Sequence, residues 1–216
     1  MRGFIGYGEL GKQIEQLVVS LNGPDESFYF DDELRAHNRQ DCRPFNSYAD
    51  DDYSHLEFYL CLGYKHLQTK AKILQQLLEA EVRMPPVSHP SSFVNDSARL
   101  GAGTVIYPMC NVDKNVEIGA GALLNNSVVV SHDARIGDCS YLSPGVVLSG
   151  FVRVGAKTFI GSGAIVSDTV KIGKNVRIGV GTIVTQDVPD GASVIGNPMR
   201  VLSSRLRLQR DDIERP

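Results

Sequence analysis

The sequence predicts a small parallel α/β domain followed by a parallel β-helix, and three features of its 216 residues predict it. Short apolar runs alternate with helical spacing before residue 84, and an unbroken period of six runs after residue 90. Between them lies Met84-Pro85-Pro86-Val87-Ser88-His89-Pro90, which reads as an extended connection. The expected division is 1–84 for the α/β domain, 85–200 for the β-helix and 201–216 for a C-terminal tail.

In the first part, Gly3-Phe4-Ile5 is a buried strand, followed by a glycine turn and a helix carrying Ile14, Leu17, Val18 and Leu21 on one face. Asn22-Gly23-Pro24 stops that helix. Phe28-Tyr29-Phe30 is a second strand, ending at Asp31-Asp32, and residues 56–62 form a third. Leu67, Ala71, Leu74 and Leu78 mark a second amphipathic helix, so the pattern implies a parallel sheet of βαβ units. The turn Gly6-Tyr7-Gly8-Glu9-Leu10-Gly11 has GxGxxG spacing between a strand and a helix. Glycines there let backbone amides close on a phosphate, which the helix N-terminus attracts. Asp31, at the end of the next strand, can accept from a ribose or a base. Gly6, Tyr7, Gly8, Asp31 and Asp32 are therefore candidate substrate-binding residues. The motif alone suggests NAD, but 84 residues are too few for a six-stranded dinucleotide fold. A tight turn without a ligand is the purely structural alternative.

The second part is a repeat. Every sixth residue from 94 to 184 is Val, Ile or Leu, sixteen positions without an insertion. Four residues after each comes a second inward position, always small or Val, from Ala98 and Thr104 to Thr182 and Val188. Gly, Asn, Asp and Ser, which turn corners, gather just after the aliphatic residue. Chance alternation in ordinary hairpins does not hold phase this long, whereas a parallel β-helix requires it. Three hexapeptides close one triangular coil, so residues eighteen apart stack in adjacent coils about 4.8 Å apart.

The bulk numbers exclude several classes. Hydrophobic residues make up 42% and charged residues 22%, ordinary for a globular chain, and the net charge of -3 gives no electrostatic case for nucleic acid. Residues 1–20 lack a signal-peptide pattern, and no apolar stretch is long enough for a membrane span. Cys42, Cys61, Cys110 and Cys139 form no CxxC pair, which argues against a zinc site or a disulfide framework and for a reducing cytoplasm.

A solenoid fills its own interior, so reactive groups must come from its corners. His132 lies at one, two residues after Val130, and is the only histidine beyond residue 89. An imidazole with its ordinary pKa near ~6.5 can take the proton that an acceptor loses as it attacks a thioester. A carboxylate at Asp133 can hold one ring nitrogen and steady the imidazolium. Gly150, eighteen residues on from His132, has no side chain to keep its N–H from a developing oxyanion. The plain alternatives are a solvated surface histidine and a glycine that only turns a corner.

The segment Asn125-Asn126-Ser127-Val128-Val129-Val130-Ser131-His132-Asp133-Ala134-Arg135-Ile136-Gly137-Asp138 resembles one bacterial family of sugar O-/N-acyltransferases. Its members are the N-acetyltransferases of nucleotide-linked amino sugars and the sialic acid O-acetyltransferases, within the hexapeptide-repeat superfamily. The run Phe159-Ile160-Gly161-Ser162-Gly163-Ala164, the later Asp187-Val188-Pro189 and Gly196-Asn197-Pro198, and the two-domain order match as well, so the resemblance spans nearly the whole chain.

The resemblance implies a left-handed helix, His132 as general base, Asp133 tuning it and Gly150 as oxyanion donor, with Asn125 on the substrate side. It implies acetyl-CoA as co-substrate with no metal, lying along the axis against the corner column Pro144, Ser162, Val180. Gly150, Ser162 and Val180 are thus expected coenzyme contacts. Family members often carry a second histidine where this chain has Tyr141, which can donate a hydrogen bond to the acetyl group but is a poor base. The N-terminal domain would hold the nucleotide of the sugar. The implied protein is a cytoplasmic homotrimer with shared active sites, serving bacterial surface glycan biosynthesis. An O-acetyltransferase of the sialic acid type and a non-catalytic nucleotide-sugar binding protein are the alternatives. The His89-Pro90 pair resembles the family's start of the β-helix and reads as structural. A γ-type carbonic anhydrase would need several histidines for zinc. Serine acetyltransferases and sugar nucleotidyltransferases carry different N-terminal domains.

Overall fold

The computed structural model describes residues 1–37 and 41–202. Most of the expected tail, 203–216, lies outside the described residues. The N-terminal domain contains β1 (Arg2–Ile5), α1 (Glu9–Asn22), β2 (Ser27–Phe30), α2 (Asp32–Ala36), β3 (Cys42–Arg43), β4 (Glu57–Leu60) and α3 (Leu67–Glu79). Its sheet is parallel throughout, in the order β3-β2-β1-β4. The strands and helices read from apolar spacing are all present. The additions, two-residue β3 and five-residue α2, are too short to show a period.

Along α3 one assignment shifts. Leu67, Lys70, Leu74 and Leu77 are buried, whereas Leu78 is exposed. The buried face therefore takes in a lysine that the apolar pattern passes over, and burial lowers the pKa of that amine.

The second part is a parallel β-solenoid of about six turns. Its first strand is Val87–Ser88, and it ends in a parallel strand at Ser193–Ile195 and an antiparallel one at Arg200–Val201. Successive coils pair with a register of eighteen, as Leu124 with Leu142 and Val130 with Leu148. Of the sixteen aliphatic positions, those from Ile106 onward are buried, while Val94 and Leu100 in the open first coil are partly covered. The small second positions let facing sides of the triangle meet. Three of the hydroxyls among them spend their donor across the corner: Thr104, Ser140 and Thr158 donate to Gly119, Gly155 and Gly173 carbonyls at 2.9–3.0 Å.

The outward residues make three unlike faces. Val105, Leu123, Tyr141 and Phe159 face the N-terminal domain and pack with Phe4, Tyr7, Tyr59 and Leu67. Val129, Val147, Ile165 and Ile183 make an apolar face that nothing among the described residues covers. Arg99, Glu117, Arg135, Arg153 and Lys171 make a charged one.

Candidate active site

His132 and Gly150 occupy the corner between the apolar and charged faces. Asp133 turns that corner with φ 58°, and its N–H donates to the Lys114 carbonyl at 3.0 Å. Asp tolerates this left-handed conformation better than most residues. His132 Nδ1 lies 3.0 Å from Asp133 Oδ2, and Asn115 Nδ2 donates to Asp133 Oδ1 at 3.1 Å. The Asn115 N–H in turn donates to Ser97 Oγ at 2.9 Å, so a polar chain climbs three coils to the imidazole. The hydrogen bond from His132, then that from Asn115, holds the Asp133 carboxyl below the ordinary carboxylate range. An ionised carboxylate only accepts, so Nδ1 carries the proton of the neutral ring and Nε2 keeps its lone pair. Nε2 points over Gly150, where a Cβ would sit 3.0 Å from it and 2.9 Å from Cε1. The Gly150 N–H has no acceptor among the described residues.

Asn125 and Tyr141 are brought together at another corner, between the covered and apolar faces, where Asn125 Nδ2 donates to Tyr141 Oη at 3.0 Å. Tyr141 is buried between Tyr64 of the N-terminal domain and Phe159, at centroid distances of 5.4 and 6.0 Å, and burial pushes its phenol pKa up. Pro144, Ser162 and Val180 line that same corner. Their coils are tied by Gly163 and Gly181 N–H groups donating to Pro144 and Ser162 carbonyls at 2.9 Å, and Val180 is 75% exposed. Within one chain, then, the expected coenzyme column and the expected base lie on different edges.

The N-terminal motif gives each glycine a separate task. Gly6 adopts φ 81° at the turn. Gly11 packs so closely that a Cβ would lie 3.0 Å from the Gly6 carbonyl oxygen. Gly8 caps α1 with no side-chain partner, and a Cβ there would meet nothing within 4 Å. The first-turn amides of α1 are thus uncovered by any cap. The two aspartates are already engaged. Asp31 accepts from Tyr7 N at 2.8 Å and caps α2 through Leu34 N at 2.9 Å, and Asp32 accepts from Phe45 N at 2.9 Å. The Tyr7 side chain is buried, with its hydroxyl on Glu15, and its N–H is spent on Asp31, so the amides that follow it are what the turn offers a ligand.

The family model of the GMPPB C-terminal domain matches residues 106–208, a little under half of the chain. Comparison with curated proteins returned no match. Among solved structures, the acetyltransferase domain of PglB from Neisseria gonorrhoeae FA1090 is 26% identical, with a TM-score of 0.82 over 93% of this chain and 98% of that one. The same domain in complex with acetyl coenzyme A is 25% identical over the same spans. PerB from Caulobacter crescentus, in complex with CoA and GDP-perosamine, is 25% identical with a TM-score of 0.84, over 93% of this chain and 96% of that one. WeeI from Acinetobacter baumannii AYE, at 24% identity and TM-score 0.83 over 94% and 99%, shares the fold.

The fold is that of the hexapeptide-repeat sugar acyltransferases.

In this acyltransferase fold, spacing by eighteen gathers groups that linear reading missed. Phe151 stands edge-on to His132, at 5.1 Å and 89°. Arg135, Arg153 and Lys171 stack beside the same corner. Glu117 reaches Arg135 at 3.3 Å, while one guanidinium nitrogen of Arg153 is buried with no hydrogen-bond partner among the described residues. No stripe of cations is visible along the chain, because its members are eighteen apart. A cleft of about 680 Å³ opens at the opposite end of the small sheet, lined by Arg2, Asp25, His55, Glu57 and Arg83, and holds none of the expected site residues. Among the described residues no three His, Cys, Asp or Glu side chains are placed to hold a metal, and no helix is long and apolar enough to cross a membrane.

Proposed function

We propose that the protein moves an acetyl group from acetyl-CoA to an amino sugar carried on a nucleotide, with His132 as general base. The observation that carries this reading is the corner itself. A carboxylate fixes the His132 tautomer, and a free Nε2 faces a glycine whose N–H is unspent. The acceptor amine attacks the thioester carbon and passes its proton to Nε2. The Gly150 N–H stabilises the oxyanion of the tetrahedral intermediate. Collapse expels the coenzyme thiolate, which takes the proton from the imidazolium. Complexes of the PglB domain with acetyl coenzyme A and of PerB with CoA and GDP-perosamine support both substrates.

The active site is shared in a homotrimer. If three copies turn their apolar faces toward a common axis, the edge bearing His132 in one copy meets the edge bearing Asn125, Ser162 and Val180 in the next. The partly exposed face of Val129, Val147, Ile165 and Ile183 supports this packing, since a contiguous apolar patch is normally covered. Tyr141, tied to Asn125, then helps seat the acetyl group, and the Arg153 and Lys171 stack flanks the groove as a counter-charge for coenzyme phosphates.

Residues 1–84 select the nucleotide through the Gly8 turn and the uncovered amides of α1. Tyr64 places that end of the domain directly on Tyr141. Cytoplasmic supply of both substrates and a role in bacterial glycan assembly complete the proposal. A panel of nucleotide sugars in thermal shift, with and without acetyl-CoA, tests it. Stabilisation by nucleotide-linked amino sugars supports the reading, and indifference to all of them refutes it.

A further inference from the structure

Phe151 has no evident folding reason to be where it is. It occupies the corner position held, at intervals of eighteen, by Ser97, Asn115, Asp133 and Thr169. From Asn115 to Thr169 that position is left-handed: φ is 57° at Asn115, 58° at Asp133, 61° at Phe151 and 64° at Thr169. Asn and Asp accept this conformation because short polar side chains bond locally, here Asn115 to Asp133. A bulky ring has no such compensation. Nor does burial supply one, because Phe151 is 48% exposed. Its ring turns instead to one residue. The Phe151 N–H donates to the His132 carbonyl at 3.1 Å, and its ring stands perpendicular to the imidazole at 5.1 Å.

His132 needs such a neighbour. Within one chain its side chain is 41% exposed, and Asp133, the ring's only hydrogen-bond partner among the described residues, is itself 31% exposed. An exposed ring held by one hydrogen bond changes rotamer on the picosecond to nanosecond scale. A base must instead present one nitrogen to one point in space.

We propose that Phe151 is a positioning residue for the base, its ring walling one side of the imidazole so that Nδ1 stays on Asp133 and Nε2 stays over Gly150. The inference rests on the reading of His132 as the base.

Phe151→Asn separates the two roles, because Asn suits the left-handed backbone and removes the wall. The thermal midpoint should hold or rise by roughly 2–4 °C. Turnover should fall about tenfold or more from the misplaced base, with KM for both substrates little changed and the pH dependence of kcat displaced. Phe151→Tyr, which keeps the ring, should restore turnover and profile. NMR titration of the His132 ring without substrates should show its protonation and rotamer averaging altered in the Asn variant only. Wild-type turnover and pH profile in Phe151→Asn would overturn the proposal. So would activity lost together with thermal midpoint or assembly size, which would make Phe151 a structural or subunit contact. If the wild-type protein transfers no acetyl group, the function falls, while the ring titration still decides the positioning.

Discussion

Gly150→Ala is a small change with a large expected consequence. The backbone at Gly150 does not lie in the left-handed region, so alanine is conformationally permitted there. The added methyl would sit 2.9 Å from His132 Cε1 and 3.0 Å from Nε2, closer than carbon atoms normally approach, so one group must move. Its other close neighbour is Nδ1 of the same ring, at 3.6 Å. The imidazole is the mobile partner, because its side chain is partly exposed. Displacement by a few tenths of an ångström weakens the 3.0 Å bond to Asp133, and the methyl occupies the approach to the Gly150 N–H. Loss of one oxyanion donor costs about 10²–10³ in kcat, or about 3–4 kcal/mol of transition-state stabilisation. The fold should be spared, with ΔΔG within about 0.5 kcal/mol, as for surface changes that touch no core. Thiol release from acetyl-CoA measures the first quantity and thermal unfolding the second. Turnover within twofold of wild type would refute the oxyanion assignment, and loss in step with unfolding would show Gly150 to be only a corner.

His132→Ala should lower kcat by roughly 10²–10⁴ with the fold intact, and Asp133→Asn should cost less; steady-state kinetics rank the two. Asp133 also has a pH signature in the substrate-free protein. Its depressed pKa adds stability above the unfolded carboxylate value near ~3.9, lost as pH falls through the folded value. Asp133→Asn should flatten that acid limb in pH-dependent unfolding. Gly8→Leu meets open space, so a rise in KM for the nucleotide sugar with KM for acetyl-CoA unchanged would report ligand contact rather than misfolding. A mixture of His132→Ala with a variant altered at Ser162 and Val180 should regain activity as hybrid trimers form, and sedimentation of an active monomer would contradict a shared site.

Much of the fold was legible because a solenoid repeats one constraint at every coil. Sixteen aliphatic residues in one phase leave few other ways to bury them, and the register of eighteen follows from three sides per coil. The same arithmetic set Gly150 above His132. What stayed hidden depends on direction and on neighbours without a period. Phe151, Asn115 and Ser97 share the catalytic corner only through eighteen-residue stacking, and a phenylalanine in a turn carries no catalytic signal by itself. Asp31 and Asp32 follow the second strand, yet nothing in their spacing says that loop and cap amides occupy them. Lys70 falls on the buried face of α3 because helical phase outranks polarity there. Nothing in the sequence around Tyr141 says that it is sealed under Tyr64 and bonded to Asn125, which follows only from the packing.

The central claim is tested most directly by coenzyme A release from acetyl-CoA with nucleotide-linked amino sugars, the corresponding free sugars and nucleotide-linked sugars lacking the amine, in wild-type protein and in His132→Ala. Turnover confined to the nucleotide-linked amino sugars, and reduced at least a hundredfold in the folded His132 variant, is the result predicted. Equal turnover with free sugars, or a His132 variant that keeps most of the activity, would contradict it.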